Sequence, residues 1–426
     1  MRATKRGAER TPLGTRDCDV LVCGASFAGL AVARELAGSG MNVLLIDRYE
    51  IGERQTSACA MPTAWMQALD LEGSLRQTFH SLLVHTRPRG SAARPRTSRW
   101  PLPWSFSTFD YRELCALLYG QARAGGTEFV EFEIATVTGR SGLTVHTDRG
   151  DLKAPFVVDA LGWRRVLSNT DPIQPPNARL SRGLEVHPAG SGTDLELWID
   201  HRYVRSGYAW SFPAREEVRI GAGSFWPERH VREPTVRLTG ELGLEPDGYQ
   251  GNWIPHQLRR AVEDEVFFVG DSAGHCLPLT AEGIRTALYF GLACARELRA
   301  AHTAHLAGGV GGIGRAAPAG RPGGEADALA RARAQALARY GAFSERHARK
   351  YAWLLRVQRA VGQLTPTHAP TWLSHALESK RFAHWSFTHY LDIAPPSFAR
   401  AGPPTASPPA ARRERSAGET TVALIA

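Results

Sequence analysis

The tightest constraint on this chain is a run of about thirty residues near its start. Cys18 to Cys23 (CDVLVC) is a short apolar stretch suited to a strand buried on both faces. Gly24-Ala25-Ser26-Phe27-Ala28-Gly29 follows, and from Leu30 to Leu36 small and apolar residues recur at helical spacing. Gly38 and Gly40 stop that helix, and Asn42 to Ile46 (NVLLI) reads as a second buried strand. Strand, helix and strand in this order form a βαβ unit with parallel strands.

The turn between the first strand and the helix is a G-x-S-x-x-G variant of the G-x-G-x-x-G dinucleotide fingerprint. Gly24 permits the tight turn, the middle position lets the backbone approach a diphosphate, and Gly29 lets helix and strand pack closely. Ser26 replaces the middle glycine, adding a hydroxyl able to donate to phosphate. Oriented N–H groups at the helix start favour an anion. Asp47, eighteen residues after Gly29, ends the second strand where a carboxylate can accept from ribose hydroxyls. Residues 24–29 with Asp47 and Arg48 are therefore the first candidate cofactor-binding set.

A second motif lies far along the chain, at Val269-Gly270-Asp271-Ser272-Ala273-Gly274-His275-Cys276-Leu277-Pro278-Leu279-Thr280-Ala281-Glu282-Gly283-Ile284. It follows the buried run Val266 to Val269 and precedes a helix starting near Gly283. Here the sequence resembles the glutathione-reductase-type flavoproteins, specifically the geranylgeranyl reductase group and its relatives among FAD monooxygenases and flavin-dependent halogenases. The resemblance implies that Asp271 holds the ribityl chain of FAD, that Pro278 lies by the reactive edge of the flavin, and that Gly283 and Ile284 open a helix facing its pyrimidine carbonyl. A helix N-terminus there stabilises the negative charge of reduced flavin.

Further matches extend the resemblance over residues 18–300. Tyr111-Arg112-Glu113-Leu114 is similar to a helix-opening segment, implying that Arg112 reaches the cofactor. Val157-Val158-Asp159-Ala160-Leu161-Gly162 resembles the family's strand ending in D-x-x-G, with Leu161 at a usually acidic position, and Val137 is implied as a backbone contact to adenine. Gly207 to Pro213 (GYAWSFP) is similar to the aromatic strand over the flavin; its period of two puts Tyr208, Trp210 and Phe212 on one face, as substrate-binding walls or an ordinary core face. Cys59 stands where several geranylgeranyl reductases carry a cysteine facing the substrate double bond, and His275 and Glu282 are candidate acids or bases.

The expected fold is α/β: a discontinuous Rossmann-like FAD-binding domain (17–175 and 255–304) with an inserted antiparallel-sheet substrate domain (176–254) and a helical C-terminal cap (326–394). Residues 50–110 read as mixed and loop-rich. A disordered leader (1–16), a flexible Gly/Ala/Pro insertion (305–325) and a disordered tail (395–426) complete the chain.

Composition removes several classes. The net charge of +9 is concentrated in the leader and between Arg87 and Arg99, with no aromatic interleaving in the leader and no nucleic-acid motif, so no nucleic-acid partner is expected. Six cysteines with no C-x-x-C pair and no zinc spacing indicate a reduced, cytoplasmic protein with no metal site. Neither a signal peptide nor a membrane span is supported. Phe382 to Tyr390 (FAHWSFTHY) reads as a cap over the pocket or as a peripheral membrane contact.

The leading expectation is an FAD enzyme, with NAD(P)H as reductant, whose reduced flavin delivers hydride to a carbon–carbon double bond of a small apolar substrate. The alternatives are a single-component FAD monooxygenase using NAD(P)H and oxygen on an aromatic or polyketide-like substrate, and a non-redox flavin-dependent cyclase or isomerase or a non-catalytic flavoprotein.

Overall fold

Two large sheets, a small three-stranded one (Val137–Ser141, Thr144–Thr147 and Gly150–Lys153) and their flanking helices make up the computed structural model, which describes residues 11–55, 57–87, 96–124, 130–170, 180–310, 324–363 and 379–400. The strand Val20–Cys23 is wholly buried, with Val43–Asp47 parallel on one side and Phe156–Asp159 parallel on the other. Val130–Ile134 and Val266–Phe268 extend this sheet in parallel at its two ends, and Val262–Glu263 adds an antiparallel edge. A strand with neighbours on both sides and cover above and below has no solvent face, so its sequence is an unbroken apolar run.

The helix Phe27–Leu36 packs on this sheet and is crossed by the long helix Ile284–Val310. A side chain at Gly291 would put its first carbon 2.9 Å from the Ala31 methyl, so the two helices approach with almost nothing between their backbones. The chain's two motifs are thus carried by elements in direct contact.

The second sheet has eight strands, in the spatial order 250–255, 180–186, 218–224, 207–213, 195–199, 75–86, 96–109 and 60–62. Its last three strands correct the expectation for residues 50–110. Ala60–Pro62, Leu75–Thr86 and Arg96–Phe109 are ladder strands joined to the second sheet through the parallel pairing of Leu195–Ile199 with Leu75–Thr86. Pro101 and Pro103 disguise the pattern. Pairing jumps from Phe79 opposite Phe106 to Ser81 opposite Pro101, so Pro103 sits where no ladder N–H is needed.

One face of this sheet is covered by the helix Arg232–Glu241, where Val186, Ala209, Ile220 and Ala222 pack with Val231 and Leu238. The other face carries Tyr208, Trp210 and Phe212. Residues directly opposite in an antiparallel pair share a face, so Gly223, Gly221 and Arg219, the partners of those aromatics, point the same way.

Residues 11–16 correct the expectation of a disordered leader: Leu13 is buried, and Arg16 bridges Glu131 at 2.7 Å and Glu133 at 2.9 Å. Residues 1–10, 311–323 and 401–426, on which the rest of the leader, most of the insertion and most of the tail fall, lie outside the described residues. The C-terminal region is formed by the helices Gly324–Glu345, Ala348–Gln363 and Lys380–Leu391, and a short helix, Pro396–Arg400, occupies the start of the expected tail. Among the described residues no helix is long and apolar enough to cross a membrane.

Candidate active site

The glycine turn is built as its spacing requires. Gly24 adopts φ +111, a conformation open to glycine, and a side chain there would run into the Ala160 carbonyl of the neighbouring strand. A first carbon on Gly29 would collide with Gly24 O. The Ala25 N–H donates to Asp47 Oδ2 at 2.7 Å and the Tyr49 N–H to Oδ1 at 3.1 Å, which fixes the carboxylate beside the helix start. Burial raises the Asp47 carboxyl above its ordinary value, and these amides oppose that rise. Arg48 lies over the Tyr49 ring, 4.8 Å from its centroid, and both line the cavity.

Asp271 enters from the other motif. A side chain at Gly270 would place its first carbon 2.9 Å from the Ala28 methyl, so the two motifs, over 240 residues apart, touch. Among the described residues no hydrogen bond or ion pair reaches the Asp271 carboxylate, and burial alone pushes it up to about 7. Its Oδ1 lies 3.5 Å from where a first side-chain carbon on Gly283 would stand, and the helix begins at the next residue, Ile284. An unpartnered acceptor beside helix N–H groups and a turn free of side chains is what a polyol and diphosphate ligand needs. These residues fit FAD: residues 24–29 with Asp47 would hold its diphosphate and ribose, and Asp271 with Gly283 its ribityl arm.

A cavity of about 1760 Å³ runs from Ala25, Asp47, Arg48 and Val137 past Asp271 and Gly283 to the aromatic face of the second sheet. Typical small-molecule sites occupy about 300–1,000 Å³, so this one has room for a dinucleotide and a substrate together. Tyr208, Trp210 and Phe212 all line it. Tyr208 donates its hydroxyl to Thr280 O, tying the second sheet to the turn before Gly283. Trp210 lies flat across the bare row Gly183, Gly221 and Gly223; a side chain on Gly221 would enter its ring.

The structure places the remaining candidates unequally. Arg112 is exposed and off the cavity wall, a correction to its expected reach toward the cofactor. Its neighbour Tyr111 lines the wall and donates to Ser26 Oγ at 3.1 Å. The buried positions 111, 114, 115 and 118 mark the inner face of that helix, and Arg112 is a hundred degrees away from it. Asp159 is likewise turned inward, accepting from Ser272 Oγ, Leu161 N and Leu167 N. Pro278 is buried behind the wall, which is formed by Leu279 to Ile284.

His275 is corrected as an acid or base. It is fully buried off the wall, stacked on Phe290 with centroids 3.6 Å apart, and bonded through Nε2 to Ser344 Oγ at 3.1 Å. Burial holds its imidazole well below the ordinary value, so it is neutral. Glu282 lines the wall, yet both its oxygens accept from Arg285 at 2.7 Å, and Arg285 also donates to Leu391 O and Ala394 O. Held by that carboxylate, Arg285 anchors the end of the helix Lys380–Leu391 to the helix opening at Ile284. Cys59 does reach the wall, from a left-handed residue at φ +51, and burial pushes its thiol well up, so it stays protonated.

At the far end of the chamber the sequence reading had the segment Phe382 to Tyr390 as a cap, but it missed the two strands beneath it. Leu82, Val84, Trp100 and Trp104 come from the two disguised strands, and Phe387 and Tyr390 from the helix Lys380–Leu391. Trp104 contacts Phe387 edge-on at 5.9 Å and stacks on Tyr390 at 6.2 Å, so this helix closes the pocket. Its outer residues Phe382 and Trp385 stay 37% and 51% exposed.

A parallel dinucleotide sheet interrupted by a ligand-facing antiparallel sheet defines a flavoprotein architecture, and comparison with known proteins agrees. The family model for an FAD binding domain matches residues 17–100. Digeranylgeranylglycerophospholipid reductase 1 of Methanothermobacter thermautotrophicus is 24% identical over 315 residues, covering 65% of this chain and 75% of its own. Among solved structures, a geranylgeranyl bacteriochlorophyll reductase-like protein from Thermoplasma acidophilum superposes with a TM-score of 0.69 at 15% identity, covering 91% of this chain and 98% of its own. A probable FAD-dependent monooxygenase from Pseudomonas aeruginosa gives 0.51 at 18% identity, covering 87% and 99%. The chain is an FAD-dependent oxidoreductase that resembles the geranylgeranyl reductases and, within the same fold, FAD monooxygenases and flavin-dependent halogenases.

Proposed function

We propose that this enzyme, supplied with electrons by NAD(P)H, reduces a carbon–carbon double bond in an isoprenoid-like substrate. The observation that carries the reading is the chamber itself: beyond Asp271 and Gly283 the cavity is walled by Leu82, Val84, Leu195, Leu197 and Ile199 with Trp100 and Trp104. Aliphatic and aromatic walls favour a hydrocarbon chain, since burying each methylene contributes about 0.8 kcal/mol. The likeness to a digeranylgeranylglycerophospholipid reductase supports the same class.

Bound FAD supplies hydride chemistry, and the protein supplies position, a dry chamber and a proton. Tyr208, Trp210 and Phe212 hold one face of the substrate, the helix Lys380–Leu391 excludes water from the far end, and Cys59 Sγ holds the proton that completes reduction. A protonated thiol fits that role, because a thiolate would have nothing to give.

The second reading, an FAD monooxygenase, is favoured by the fold shared with the Pseudomonas protein and by aromatic walls that would also sandwich a ring. Geranylgeraniol in detergent micelles, incubated anaerobically with the flavin-loaded enzyme and NADPH or NADH, should gain hydrogen without oxygen, as read by mass spectrometry. Substrate-triggered oxygen uptake with label from ¹⁸O₂ in an aromatic probe, and no anaerobic product, would replace the reductase by the monooxygenase.

A further inference from the structure

Arg219 is a fully buried arginine on the cavity side of the second sheet, opposite Phe212. A guanidinium out of water persists only when its N–H groups find acceptors. Two meet Glu217 Oε1, from Nε at 2.8 Å and Nη2 at 2.6 Å. Nη1 instead reaches across to another chain segment and donates to Ala58 O at 2.8 Å, Cys59 O at 3.2 Å and Phe109 O at 2.9 Å. The Phe109 N–H adds a bond to Cys59 O at 3.0 Å.

This grip falls on the one wall turn whose cysteine is left-handed. Cys59 sits at φ +51, a region that costs a residue with a side chain about 1–3 kcal/mol unless its surroundings hold it there. An arginine buried against three consecutive-in-space carbonyls is such a hold. Relaxed to an ordinary extended or helical φ, the residue would send its Cβ, and the thiol with it, in another direction.

We propose that Arg219 is the positioning residue for Cys59, fixing the left-handed turn that holds this buried residue at the cavity wall and keeping a cation near its thiol as the proton leaves. The proposal rests on the reductase reading. In the step it serves, one alkene carbon takes up hydride while the S–H bond breaks and its proton forms a C–H bond at the other. The S–H electron pair stays on sulfur as thiolate, and water returns the proton; the two electrons added to the alkene come from NAD(P)H by way of the cofactor. Burial most of all, and then Glu185, Cys115 and Asp110, disfavour a thiolate at Cys59, and among the charged or titratable groups acting on it Arg219 alone favours one.

The test measures the reactivity of Cys59 directly and separately from turnover. Flavin-loaded wild type, Arg219→Gln and Arg219→Lys are treated with iodoacetamide at pH 9, and alkylation of Cys59 is followed by peptide mass spectrometry. Losing a nearby cation raises a thiol by a unit or more, so Arg219→Gln should slow alkylation at least about tenfold, while Arg219→Lys, which keeps the charge, should stay within about threefold. Anaerobic kcat on geranylgeraniol should fall about tenfold or more in Arg219→Gln with KM changed less than about twofold, and the loss should vanish in a Cys59→Ala background. Unchanged or faster alkylation in Arg219→Gln overturns the proposal, as does a kcat loss that persists without Cys59. If Arg219→Gln fails to fold, a tenfold slowing in Arg219→Lys overturns it and near-wild-type alkylation supports it. A wild type that reduces no alkene refutes the function reading alone, because alkylation still judges Arg219.

Discussion

Replacing Asp271 with asparagine should stabilise the flavin-free protein above neutral pH while weakening its hold on FAD. Burial lifts this carboxyl from 3.8 to about 7, with no partner to compensate among the described residues. Between those values the folded protein keeps a proton that the unfolded chain has lost, so stability falls as pH rises through the window. At 1.36 kcal/mol per pH unit the whole fall comes to about 4 kcal/mol. Solvent entering the cavity screens part of this, which makes the figure an upper bound. Asparagine carries no charge to bury, so the variant should lose the slope. Urea denaturation of deflavinated wild type and Asp271→Asn at pH 5, 6, 7 and 8 measures it: the advantage of the variant should be smallest at pH 5 and approach about 4 kcal/mol at pH 8. Added FAD should reverse the order, because hydroxyl donors on the cofactor satisfy a carboxylate better than an amide, and ligand bound only by the folded state adds stability in proportion to its affinity. Parallel pH profiles in the two flavin-free proteins would refute the argument, since they would mean that the carboxylate already has a partner.

Three further outcomes follow from the same geometry. Gly29→Ala should purify without flavin absorbance, because its methyl collides with Gly24 O at the point where turn and helix must touch. Glu282→Gln should lower the thermal midpoint by the equivalent of about 3–5 kcal/mol, since it strips the buried Arg285 of its carboxylate; a calorimetric scan reads the loss. Glu263, although burial opposes ionisation, is held down at about 2 by Ser168 Oγ, the Thr170 and Asn169 amides and Arg165. Its ionised form therefore contributes stability above pH 4.5 that is lost as pH falls toward 2, about 3 kcal/mol in all, and Glu263→Gln should show a flatter acid limb in urea titrations between pH 5 and 3.

The cofactor end of the site was legible in the sequence because its chemistry is local. A diphosphate cradle needs a strand, a side-chain-free turn and a helix start within a dozen residues, and that order leaves its mark in Cys18 to Leu36. Asp271 was readable for the same reason, as a residue between a buried strand and a helix opening. The misreadings fell where a neighbour far along the chain decides. His275 looks available for catalysis until Phe290, Ser344 and Tyr351 close around it. Glu282 is a different case: the arginine that takes both its oxygens stands only three residues on, one helical turn away. Arg112 was the avoidable error, since the spacing of Tyr111, Leu114, Cys115 and Leu118 already put it on the outer face.

The aromatic end of the cavity is the least legible part, because what shapes its floor is an absence of side chains. Gly183, Gly221 and Gly223 look unremarkable in sequence, one at a time, as strand glycines that weaken a ladder. Only the register shows that Gly183 stands opposite Gly223, and Gly221 opposite Trp210, so that the three clear a floor on which an indole can lie flat. The continuation of this wall is hidden in another way, since Leu82, Val84, Trp100 and Trp104 stand on strands whose alternation is broken by prolines and a bulge. Each set alone would be ordinary core. Pairing Leu195–Ile199 with Leu75–Thr86 is what joins them into one sheet and makes a single apolar wall of the cavity that also holds Asp271. The shape of this cavity wall is therefore set by strand register, which single-residue motifs do not record, whereas the glycine turn at its other end is one that they do.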